Sequence, residues 1–144
     1  MEDGFDLVDW VHFEKTRGEL GPGFIRILGY FREDGAKSVA AIEAAMRDQN
    51  TVGLVIPAHT LKGEARQFGA DPLADCAELI EQSARSSIEY RSFPDELISD
   101  VVKLRGLWSQ TIDLFDKATN PLLTRAGPAG GFGRRAGNQS FGRL

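Results

Sequence analysis

Ala58-His59-Thr60-Leu61-Lys62-Gly63, running on to Phe68-Gly69-Ala70, is the stretch on which the reading of this 144-residue chain turns. If it is helical, His59, Lys62, Gly63 and Arg66 share one face, because positions three, four and seven apart stack along a helix. With His59 as the reference direction, Leu54, Ala58, Leu61, Ala65 and Phe68 gather on the opposite side. That opposite side is a core stripe, so the spacing predicts a solvent-facing His59. Val52 and Val55 fall on the histidine side, where exposed valines would form a small apolar patch for a docking partner.

Each residue type on this face has a chemical reason. Neutral imidazole offers a nitrogen nucleophile whose protonation its neighbours tune. Lys62 and Arg66 supply cations able to offset a phosphoryl group. Gly63 costs a helix interior about 1 kcal/mol relative to alanine, which access to the imidazole would offset. The face therefore suits a histidine that carries a phosphoryl group.

Working outward, the chain up to residue 119 reads as helix after helix. A first helix is expected over Phe5 to Lys15, capped by Asp6, with Leu7, Val8, Trp10 and Val11 as its apolar content. Gly21-Pro22-Gly23 breaks it. Phe24, Ile27, Leu28 and Phe31 then follow three–four spacing, and a further helix is expected over Gly35 to Arg47. The motif helix stops near Gly69, suited to the left-handed position past a C-terminus. Asp71-Pro72 restarts the chain as an N-cap and first-turn proline. That next helix carries Leu73, Cys76, Ala77, Leu79 and Ile80. Ser92-Phe93-Pro94 opens a last helix on which Leu97, Val101, Leu104, Trp108, Ile112 and Phe115 mark one face, to about Lys117. The fold class is all-α: an antiparallel four-helix bundle with an extra N-terminal helix. Two segments follow, a helical bundle over 1–119 and a Gly/Arg-rich tail over 120–144 that is expected to be disordered.

Composition bounds the function. One cysteine excludes an internal disulfide and points to a reducing, cytoplasmic setting. No long apolar run suggests a membrane span, and the acidic start lacks the basic region of a secretory signal. From residue 120 onward there are four arginines and no acids; without those arginines the net −4 becomes −8 over residues 1–119. An acidic body argues against nucleic acid as a partner. A metal hydrolase lacks a second histidine at ligand spacing. His12, in Trp10-Val11-His12-Phe13, has no comparable context and reads as structural.

These residues resemble the histidine-containing phosphotransfer (HPt) domain. The family pattern is approximately A-H-x-L-K-G-S-S-x-x-hydrophobic-G-A, against A-H-T-L-K-G-E-A-R-Q-F-G-A here. The preceding run from Gly23 to Phe31 and the following Leu73, Cys76 and Leu79 extend the likeness. The resemblance implies that His59 is the phosphoacceptor through Nε2, that Lys62 stabilises the phosphoryl group, and that Gly63 gives the partner clearance. It also implies a Gln or Glu on the next helix that bonds the other ring nitrogen. Glu81 lies at the matching distance, with Gln82 as the adjacent alternative. Implied partners are response-regulator receiver domains and a hybrid histidine kinase. The chain itself would be a monomeric phosphoryl carrier without kinase activity, cofactor or metal, the Mg²⁺ chemistry belonging to the receiver.

Two departures stand out. Glu64 occupies a position where small residues are usual and places a negative charge near the acceptor, a candidate specificity feature. Pro57 either bends the motif helix or starts it, and the second option would put His59 in a first turn, where anions are favoured. Both departures would suit an alternative role, a non-transferring helical adaptor that regulates a kinase or receiver by docking. A structural dimerisation bundle is a further option, and would bury His59 in an interface.

Overall fold

Three–four apolar spacing becomes helix throughout residues 7–120, the part of the chain that the structure, a computed structural model, describes. The helices are α1 (Trp10–Leu20), α2 (Phe24–Arg47), α3 (Thr51–Gln67), α4 (Asp71–Glu89) and α5 (Ile98–Thr119), with 3₁₀ turns at Gly21–Gly23 and Asp95–Leu97. No strand occurs among the described residues. Helices α2 to α5 form the antiparallel four-helix bundle, and α1 is the extra N-terminal helix. Of the expected tail, all but Asn120 lies outside the described residues, as does Asp6.

Of the helix expected over Phe5 to Lys15, Phe5 and Asp6 lie outside the described residues, and α1 runs on past Lys15 to Leu20. Asp9 caps Trp10–Leu20, its carboxylate accepting from the His12 backbone N–H at 3.1 Å. The helix therefore buries Phe13 and Thr16 and leaves Val11 in solvent. It docks on the end of α3. His12 Nε2 donates to the Gln67 carbonyl at 3.1 Å, the Thr16 hydroxyl donates to the same oxygen at 2.9 Å, and Asp9 N–H donates to the Gly69 carbonyl at 2.9 Å. His12 thus satisfies a carbonyl at a helix end. Gly69 has φ +81°, and a Cβ there would lie 2.7 Å from the Asp9 carbonyl oxygen, so the close approach of α1 requires glycine.

The two helices expected on either side of Asp34 are one continuous helix, α2. Its buried face runs unbroken through Phe24, Leu28, Phe31, Gly35, Val39 and Ile42. Gly35 looks like punctuation in the sequence, but it is a seat for Trp108: an added Cβ would collide with the indole ring. The ring of Phe31 stands 5.3 Å from that of Trp108 and 5.3 Å from that of Phe68, and Phe24 lies 5.3 Å from Phe13. One aromatic chain thereby ties α1, α2, α5 and the end of α3 together.

Helix α3 starts at Thr51, with Asn50 accepting from the Gly53 N–H at 3.0 Å. It continues through Pro57, so His59 sits in mid-helix and the option of a first-turn histidine fails. Proline removes only the bond that its own N–H would have made to the Gly53 carbonyl. Helix α4 begins one residue earlier than expected, with Ala70 at the cap position and Asp71 already inside. Its buried stripe includes Ala74, Ala84 and Glu81, whereas Leu79 is exposed. On α5, Leu97 of the preceding turn, Val101, Leu104, Trp108 and Phe115 are buried as expected, and Ile112 is half-buried. The last turns of α5 carry their own pair, Lys117 to Asp113 at 3.1 Å.

The bundle's tightest seat yields a stability test. Gly35→Ala forces Trp108 to move and is expected to cost about 1–3 kcal/mol, read as a lower urea midpoint at unchanged slope.

Candidate functional site

The site is assembled where the middle of α3 faces the middle of α4. His59 is more than half exposed, at 58% of its side chain, yet its Nδ1 lies 2.9 Å from Glu81 Oε2. Glu81 belongs to the buried stripe of α4, and its side chain is only 3% exposed. Three basic groups meet it there. Lys62 Nζ is 2.9 Å from Oε1, and Arg85 places Nε at 3.0 Å and Nη2 at 2.9 Å from Oε2, the oxygen that also takes His59. Burial pushes the Glu81 carboxyl up, but the bonds from Lys62, Arg85 and His59 outweigh it and hold its pKa at about 2.

The tautomer of the neutral ring follows. A carboxylate so acidic only accepts, so Nδ1 carries the hydrogen in the neutral ring and Nε2 keeps a bare lone pair. The Glu81 contact fixes the ring's direction as well as its tautomer. Gln82, the alternative partner, is exposed, and the ring's bond goes to Glu81.

His59 has two unlike flanks. Positions 55, 62 and 66, at i−4, i+3 and i+7, turn toward α4; positions 52, 56 and 63, at i−7, i−3 and i+4, turn the other way. This division corrects the expected patch. Val55 is buried at 7%, because its flank is the one packed on α4, while Val52 and Ile56 are each 67% exposed. The apolar surface beside the histidine is therefore Val52 with Ile56. Arg66 is corrected too. It is tied to Asp75 at 2.9 Å, Glu78 at 2.8 Å and Asp71 at 3.8 Å, all on α4, so its charge is already more than offset.

Glu64, at i+5 from His59, lies off the His59 face. It is half-buried, and burial, reinforced by Asp34 on α2, raises its carboxyl pKa. Gly63 is exposed, and a Cβ built on it meets nothing within 4 Å. Packing gives no reason for glycine there. Arg85 was not anticipated from the sequence, although Glu81 and Arg85 stand at the i, i+4 spacing of a helical ion pair.

The profile of the Hpt domain family matches residues 26–110, which takes in most of α2, all of α3 and α4, and α5 as far as residue 110. The chain belongs to the Hpt domain family. Its histidine phosphotransfer activity is that of a phosphorelay component, partnered by receiver domains and kinases. Among solved structures, this Hpt domain is similar to histidine-containing phosphotransfer protein B (HptB) from Pseudomonas aeruginosa PAO1, with TM-score 0.67 and 20% identity over 78% of this chain and 93% of that one. At that identity the likeness speaks for the fold. No curated protein matches in sequence. No helix among the described residues is long and apolar enough to cross a membrane.

The pH dependence of stability has a definite sign. The Glu81 pKa is lowered from 4.5 to about 2, so its contribution is complete above 4.5 and is lost as pH falls toward 2. The gap in thermal midpoint between wild type and Glu81→Gln is expected to be widest above pH 4.5 and to narrow below it, as followed by circular-dichroism melts.

Proposed function

We propose that this Hpt domain relays a phosphoryl group between receiver-domain aspartates, with His59 as the phosphoacceptor. The observation that carries the assignment is the exposed His59 ring held through Nδ1 by a buried, ionised Glu81, with Nε2 left bare. In the forward step the Nε2 lone pair attacks phosphorus in a receiver's aspartyl phosphate. The P–N bond forms as the P–O bond breaks, and the receiver's carboxylate leaves with the electron pair. No proton is lost. The ring becomes an N-phosphorylated imidazolium whose Nδ1–H strengthens its bond to Glu81. The reverse step returns the group to another receiver.

Lys62 offsets charge on the phosphoryl oxygens, and Gly63 lets the receiver's backbone approach the ring. The docking surface is the apolar flank of Val52 and Ile56, which adjoins Gly63. A hybrid histidine kinase supplies the phosphoryl group upstream, and the protein works as a cytoplasmic monomer and carrier without kinase activity. The buried, reduced Cys76 suits that compartment.

Incubation with phosphorylated receiver domains is expected to give acid-labile, base-stable label on the wild type and none on His59→Gln. Unaltered signalling by His59→Gln, with binding intact, would overturn the relay in favour of an adaptor. Gly63→Ala separates clearance from folding. It is expected to stabilise the protein by about 0.5–1 kcal/mol while slowing transfer from a receiver. Equal transfer rates would remove the role of Gly63.

A further inference from the structure

The carboxylate that orients His59 is the same one that holds Lys62, and this creates a conflict. Lys62 Nζ lies 2.9 Å from Glu81 Oε1, so a phosphoryl group on His59 competes with Glu81 for the same ammonium. A carboxylate that is 3% exposed tolerates the loss of a cation badly, since water is not there to replace it. Arg85 is placed to resolve the conflict. Both of its bonding nitrogens, Nε at 3.0 Å and Nη2 at 2.9 Å, converge on Oε2, and neither uses Oε1 while Lys62 is there. A guanidinium fork matches the two oxygens of a carboxylate, so a small shift makes it bidentate once Oε1 is vacated. That shift also relieves the crowding on Oε2, which Arg85 shares with the His59 Nδ1–H.

We propose that Glu81 and Arg85 form a partner-exchange device: when His59 is phosphorylated, Lys62 leaves Oε1 for the phosphoryl oxygens and Arg85 spreads across both oxygens of Glu81. The proposal rests on His59 being the phosphoacceptor. Arg85 is then a positioning residue. It releases Lys62 to the phosphoryl group and keeps Glu81 locked on the ring throughout the cycle. Its side chain is 51% exposed, so its replacement leaves the packed core alone.

Coupling between positions 62 and 85 is the test. The full chain is labelled with phosphoramidate or a phosphorylated receiver, and loss of the phosphohistidine label is timed for wild type, Lys62→Ala, Arg85→Gln and the double variant. Lys62→Ala is expected to shorten the lifetime about threefold or more in the wild-type background and to change it little in the Arg85→Gln background, where Lys62 stays on Glu81. Arg85→Lys, which keeps the charge without the fork, should fall between. Nitrogen-15 spectra of the ring check that Nδ1–H persists in each unphosphorylated variant. If the two substitutions shorten the lifetime by independent, multiplying factors, the exchange is overturned while the phosphoacceptor assignment stands. If the wild type takes no label from either donor, the assignment fails and the exchange with it.

Discussion

A single buried carboxylate holds this site together. Glu81 is turned into the interior by the register of α4, where Ile80 and Ala84 beside it are fully buried. An ionised group in such a place survives only if it is paired, and removing one partner from a buried pair costs about 3–5 kcal/mol in general. Glu81 meets that requirement with Lys62 from α3, Arg85 from its own helix and the His59 ring. The same contacts that keep the carboxylate ionised aim the imidazole. Stability and chemistry are therefore coupled at one residue, and the α3–α4 register cannot slip without unpairing it.

The glycines show how differently one residue type is used. Gly35 makes room for the Trp108 ring, Gly53 lies against the Asn50 side chain, whose Nδ2 would be 2.6 Å from an added Cβ, and Gly69 is required by the backbone carbonyl of Asp9. Gly63 has no such neighbour, and neither do Gly18, Gly29 and Gly106. Open space alone thus assigns nothing. What distinguishes Gly63 is its position at i+4 from an exposed imidazole, on the flank that carries Val52 and Ile56.

Helical periodicity in the sequence was enough for the bundle and for the face on which His59 lies. It did not reach the details that depend on tertiary partners. Asp34-Gly35 reads locally as a turn, because the reason for the glycine is an indole more than 70 positions away. The cap at Asp9 depends on a distant partner, because its own N–H is bonded to the Gly69 carbonyl. Val55 and Val52 lie on opposite flanks of His59, and only the position of α4 shows which flank is buried. Arg66 reads as a free cation until three carboxylates of α4 are brought to it. Glu81 is legible only through the family resemblance, and the Arg85 partner at i+4 looks like any ion pair on an exposed helix.

On the proposed assignment, the two flanks of His59 divide the labour of a reversible transfer. On the α4 side, Lys62, Glu81 and Arg85 form a preorganised charge network that the reacting ring leans on. On the other side, Val52 and Ile56 are exposed and uncharged, and Gly63 adds no side chain. A visiting domain that docks on the second flank does not have to break any ion pair of the first. On the proposed assignment, docking and charge compensation are thus separable, and a carrier that must serve a donor and an acceptor in turn would gain from that separation: partners would compete for the apolar flank, while the ring would meet each of them in the same orientation.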